Sequence, residues 1–116
     1  MADAFVLNRG NILERLGGDE EIFAMMLDMY LQDLEANCAS LDAALATGQP
    51  AAVQREAHTV KGLLATFSDE SGAAAAYAVE RQAKAGEMAG LAEAIAAVQA
   101  RLREVAVVLA AARSAG

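Results

Sequence analysis

The chain has 116 residues, too few for two ordinary domains and enough to bury one core without disulfides or structural metals. Apolar residues make up 56% but aromatics only 4%, with one proline, a profile that favours packed helices over sheets. A net charge of −7 with no basic cluster excludes a nucleic-acid partner, and the single cysteine excludes an internal disulfide or a cysteine-based zinc site.

Met1-Ala2-Asp3-Ala4-Phe5 carries an early acid and no long apolar run, which is not the make-up of a signal peptide. Residues 8–16 are expected as a short helix capped by Asn8, with Ile12, Leu13 and Leu16 on its apolar side and Gly17-Gly18 ending it. Asp19 caps a long helix over about 19–46, with Glu20 and Glu21 in the first turn, where the helix dipole favours acids. Phe23, Leu27, Tyr30, Leu34, Cys38, Leu41 and Leu45 then recur at spacings of 4, 3, 4, 4, 3 and 4, one continuous apolar stripe. Cys38 on that stripe reads as an inert buried thiol. Met25, Met26 and Met29 read as core filler, with an edge able to emerge beside the next helix.

Thr47-Gly48-Gln49-Pro50 is a turn, and its proline suits the first position of a helix over 50–67. At roughly 100° per residue, Val53, Ala57, Val60, Leu64 and Phe67 share one sector, the buried stripe. His58, the only histidine, lies roughly 140° from the middle of that sector on the same wheel, so it faces out among Gln54, Arg55, Lys61 and Gly62. An ordinary solvated histidine satisfies that geometry, but Gly62 points elsewhere. Glycine inside a helix costs about 1 kcal/mol against alanine, and this chain uses alanine freely. One turn after the histidine, Gly62 leaves the surface beside the imidazole bare, as expected where something must come close. Lys61 adds a mobile cation. The combination suits a nucleophile that takes a phosphoryl group from another protein.

Ser68-Asp69-Glu70-Ser71 supplies the cap and acidic first turn of a helix over about 70–85. Gly72 and the alanines at 73–76, 78 and 83 make it a helix that neighbours can approach closely, interrupted by Tyr77, Val79, Glu80 and Arg81. A turn over 85–90 leads to a last helix over about 89–112. Leu91, Ile95, Val98, Leu102, Val105 and Leu109 form its stripe, most simply the fourth wall of a core. Arg101, Arg103, Glu104 and Arg113 interrupt the most apolar stretch, so no membrane span is expected, and the chain reads as soluble and cytoplasmic. The tail, residues 114–116, is expected to fray. The whole chain, 1–116, reads as one all-α domain, an antiparallel four-helix bundle with a short additional N-terminal helix, monomeric because four stripes satisfy one another.

The His58-x-x-Lys61-Gly62 stretch resembles the phosphoacceptor motif of histidine-containing phosphotransfer (HPt) domains, carried on the second long helix of a four-helix bundle. The resemblance runs through nearly the whole chain: Leu16-Gly17-Gly18-Asp19-Glu20-Glu21 is similar to the start of the family's first long helix, Phe67 to its apolar position before the next helix, and Val79-Glu80 to its Leu-Glu. Leu63, Ser68 and Asp69 depart from the family pattern, which commonly has a small residue at the first position and Gly-Ala at the other two.

This resemblance implies that His58 attacks through Nε2, that Lys61 compensates phosphate charge, and that Gly62, Gln54 and Arg55 frame a docking surface. It also implies that Glu80, on the neighbouring helix, can orient the imidazole; a solvated glutamate fits the residues as well. The implied partners are response-regulator receiver domains and a hybrid sensor kinase. No cofactor is expected on this chain, and the magnesium and the aspartate would belong to the receiver. A sensor-kinase dimerisation domain usually has an acid after its histidine, where Thr59 stands here, and a bundle metalloprotein needs several inward Glu and His. The remaining alternative is a non-catalytic helical adaptor that binds signalling partners without phosphate; the intact His58, Lys61 and Gly62 weigh against it.

Overall fold

The structure, a computed structural model, describes residues 3–115, which form five helices and no strand. They are α1 (Arg9–Arg15), α2 (Glu20–Ala46), α3 (Pro50–Thr66), α4 (Glu70–Lys84) and α5 (Leu91–Ala115). Short turns at 47–49, 67–69 and 85–90 reverse the chain three times, so the four long helices stand antiparallel to their successive neighbours. In the resulting ring α2 packs on α3 and α5, and α4 packs on α3 and α5, with the α3–α4 contact the most extensive. The small α1 lies against α2.

α2, α3 and α4 begin where their sequences suit a helix start. Asp19 and Asp69 accept from the backbone N–H of Ile22 and Gly72 at 3.0 and 3.1 Å, and Pro50 opens α3, where no donor is needed. α3 ends in two reversed hydrogen bonds, from Asp69 N–H to Leu64 O and from Ser68 N–H to Ala65 O, both 3.0 Å. Ser68 takes the left-handed conformation this ending requires, φ 60°, and Arg15 donates to its hydroxyl.

The core is the meeting of the stripes: Phe23, Leu27, Tyr30, Cys38 and Leu41 of α2 against Val53, Ala57, Val60 and Leu64 of α3, with Val79 of α4 and Leu91 to Leu109 of α5. Tyr30 stands edge-on to Phe67 and donates its phenol to Leu102 O at 2.8 Å, so its polar end is satisfied inside. Burial pushes that phenol far above its ordinary pKa. The stripe of α2 drifts along its 27 residues, leaving Leu34 and Leu45 half-buried while Ala44 is buried.

Two expectations change, for the methionines and the tail, and two burials, of Arg101 and Phe5, have no counterpart among the expectations from sequence. Met25 and Met29 are exposed and only Met26 is half-buried, so the cluster is not core filler, and Met26 and Met29 form the edge that emerges beside α3. Arg101 is buried: its guanidinium pairs with Asp69 through two hydrogen bonds, 2.9 and 2.6 Å, and also reaches Glu104 and the carbonyl of Asp3. Phe5 is buried as well, its N–H donating to Glu104 at 2.8 Å, so the segment before α1 is strapped across α5. Finally, Ser114 and Ala115 continue α5 instead of fraying, and Gly116 lies outside the described residues.

Candidate functional site

His58 stands near the middle of α3, where the helix turns the face opposite its buried stripe to solvent, and its side chain is 67% exposed. The alanine-rich face of α4 lets the two helices lie close, and this brings Glu80 to the ring. Glu80 Oε2 lies 3.0 Å from His58 Nδ1, and its other oxygen lies 2.8 Å from Lys61 Nζ. The carboxylate is only 14% exposed, and Oε1 is shut off from water with the Lys61 ammonium as its partner in an ion pair. Lys61 beside it, and His58 to a lesser degree, hold the Glu80 carboxyl below the usual carboxylate range although burial acts the other way. Glu80 is therefore ionised and can only accept. His58 then carries a proton on Nδ1, and in the neutral ring Nε2 is the bare nitrogen with its lone pair.

The ring is thus presented on an open helix face, with a half-buried carboxylate against its Nδ1 and its Nε2 turned away from that partner. The model of the Hpt domain matches residues 25–108, most of the chain and all of this site. The chain belongs to the Hpt domain family. Among solved structures it is similar to histidine-containing phosphotransfer protein B (HptB) of Pseudomonas aeruginosa PAO1, at 23% identity and a TM-score of 0.86, covering 98% of this chain and 99% of that one. Among curated proteins no match is found.

Within this Hpt domain the other residues singled out from sequence fall as follows. Gly62 is exposed, and a Cβ added there would meet nothing within 4 Å, so the fold itself makes no demand for glycine. Arg55 is exposed and Gln54 half-buried, flanking His58 on the preceding turn. Lys61 is not the mobile cation expected. Its side chain is only 28% exposed, paired with Glu80, and its ammonium sits 4.8 Å from the centroid of the Tyr77 ring. Tyr77 was legible only as an interruption of the alanine run; its position one turn before Glu80 is the signal that could have marked it.

On the other side of His58, Met26, Met29, Tyr30, Leu63, Thr66 and Phe67 line a shallow apolar hollow between α2 and α3. Among the described residues no group of three His, Cys, Asp or Glu is placed to hold a metal ion, and no helix is long and apolar enough to cross a membrane.

Proposed function

We propose that His58 is the phosphoacceptor of a phosphorelay carrier, taking a phosphoryl group from a receiver-domain aspartate and passing it to another receiver, or back. The observation that carries this reading is the Glu80–Nδ1 contact, which in the neutral form of an exposed ring assigns the lone pair to Nε2. In the forward step the Nε2 lone pair forms the N–P bond as the P–O bond of the aspartyl phosphate breaks, and the aspartate carboxylate leaves with the electron pair. The proton on Nδ1 stays in place. The ring gains positive charge as Nε2 commits its lone pair, and Glu80, ionised and 3.0 Å away, offsets it.

Lys61 is the proposed counter-charge for the phosphoryl oxygens, shared with Glu80. Gly62, Gln54 and Arg55 are proposed to frame the docked receiver, with magnesium and the acceptor aspartate supplied from the receiver's side. A hybrid sensor kinase is the proposed source of phosphate, and the carrier is proposed to work as a monomer in the cytoplasm.

Transfer of label from a phosphorylated receiver tests the proposal. Wild type is expected to take up label that is lost in acid and kept in base, as phosphohistidine is. His58→Gln is expected to take up none while staying within about 0.5 kcal/mol of wild-type stability, since the ring is exposed. Labelling of that variant at the wild-type rate would refute the assignment. A folded wild type that binds receivers but never accepts label would point to the adaptor instead.

A further inference from the structure

Tyr77 has no role in the core. It is 47% exposed, the one large side chain on a stretch of α4 otherwise made of alanine from 73 to 78, and burying half a ring there stabilises little. What it does touch is charge. The Lys61 ammonium lies 4.8 Å from its ring centroid and the Arg81 guanidinium 5.7 Å. The electron-rich face of an aromatic ring attracts such cations, by about 0.5–1 kcal/mol at exposed sites and more where water is excluded. Lys61 is thus held from two sides, by Tyr77 and by Glu80 Oε1, and both anchors come from α4.

We propose that Tyr77 is a positioning residue that acts through Lys61, keeping the ammonium against Glu80 and so setting the charge that Glu80 presents to His58. The proposal rests on the phosphotransfer reading for its purpose, but its physical content concerns the resting chain. One carboxylate serves two groups here: Oε2 faces His58 Nδ1 and Oε1 faces Lys61 Nζ. With Lys61 in place the pair is close to neutral, and the imidazole feels a hydrogen-bond acceptor more than a full anion. If the ring of Tyr77 is lost, Lys61 is free to swing into water, because four methylenes of rotamer freedom oppose its staying. Glu80 then faces His58 with its charge uncompensated, which favours the imidazolium. An imidazolium has no lone pair on Nε2 and cannot accept phosphate.

The other charged groups around this cluster are Arg55 on α3, Arg81 and Lys84 on α4, and Asp33 of α2, which lines the hollow beside Leu63 and Thr66. None of them closes an ion pair with Glu80 or His58, so Lys61 is the cation whose position matters most.

His58 is the only histidine, so proton NMR of the full chain reads its titration directly, without a phosphodonor. Tyr77→Leu is expected to move the His58 midpoint to higher pH, while Tyr77→Phe, which keeps the ring, stays at the wild-type midpoint. Lys61→Met should shift the midpoint in the same direction as Tyr77→Leu, and the double variant should shift no further than Lys61→Met alone. The acid limb of labelling by phosphoramidate, a donor that needs no docking, should move with the NMR midpoint. A wild-type midpoint in folded Tyr77→Leu would overturn the proposal, as would a double variant whose shifts simply add. Failure of the wild type to label at any pH would instead count against the phosphotransfer reading, and the NMR midpoints would still decide the role of Tyr77.

Discussion

Gly62 and Glu80 put opposite demands on the site, one by what it omits and one by what it holds. Open space surrounds the position where a side chain at 62 would begin, so Gly62→Ala should relieve the helix interior of a poor former and stabilise the fold by about 0.5–1 kcal/mol. A thermal or urea melt measures this, and a loss of stability would mean that the helix needs glycine for reasons internal to the chain. Glu80 contributes through its charge. Its folded-state pKa is depressed by Lys61 first and His58 after, so its contribution is present above the unfolded carboxylate value and is lost as pH falls through the lower folded one. The stability gap between wild type and Glu80→Gln is accordingly expected at pH 7 and should close on acidification. A gap that stays constant down through the carboxylate range would show that Glu80 packs rather than pairs. Of these residues, the helical wheel alone placed His58 and Gly62 on the surface. It could not place Glu80, because the meeting of two helices depends on how closely their faces approach, which the sequence encodes only through the small residues of α4.

The turn from α3 into α4 shows the same limit at the scale of an element. Asp69 reads from sequence as an N-cap, and it is one, accepting from the N–H of Gly72. The same carboxylate is also buried against Arg101, 32 residues away, and nothing in the local pattern announces that. Gly72 is the hinge of the arrangement. A Cβ at 72 would stand 2.0 Å from Asp69 Oδ2 and 3.0 Å from Cγ of Arg101, so glycine is what lets the pair lie against the helix. Gly72→Ala should therefore destabilise by about 1–3 kcal/mol despite alanine's better helix propensity, the reverse of the result at Gly62. Arg101→Met, which strands Asp69 without its cation, should cost about 3–5 kcal/mol. If both substitutions proved neutral by denaturant melt, the pair would be incidental to the fold. Two helical glycines, one mid-helix and one in a first turn, carry opposite expected signs because of what surrounds them, which no propensity scale contains.

For the whole molecule, the helices were legible because each has one apolar stripe at a steady spacing, and the bundle because three short turns leave antiparallel packing as the direct solution. The use of the cations was not legible. Arg9 pairs with Glu20, Arg103 with Glu35 and Arg113 with Asp28, while Arg15 caps the end of α3 through Thr66 O and Ser68. Arg101 does more, since it gathers three separated stretches of the chain at one point. The contacts Arg101–Asp3 and Phe5–Glu104 join residues 98 and 99 apart, whereas successive helices of the bundle meet through short turns. Closing so long a loop is entropically the slowest gain on offer, and it repays little until α5 is already in place. The amino-terminal strap should dock last during folding and open first, below the free energy of global unfolding. Native-state hydrogen exchange makes this visible at one atom: the Phe5 amide should exchange by a small, local opening while the amides in the middle of α3 and α5 wait for the whole bundle to come apart. A Phe5 amide as slow as theirs would make the strap part of the bundle's single cooperative unit.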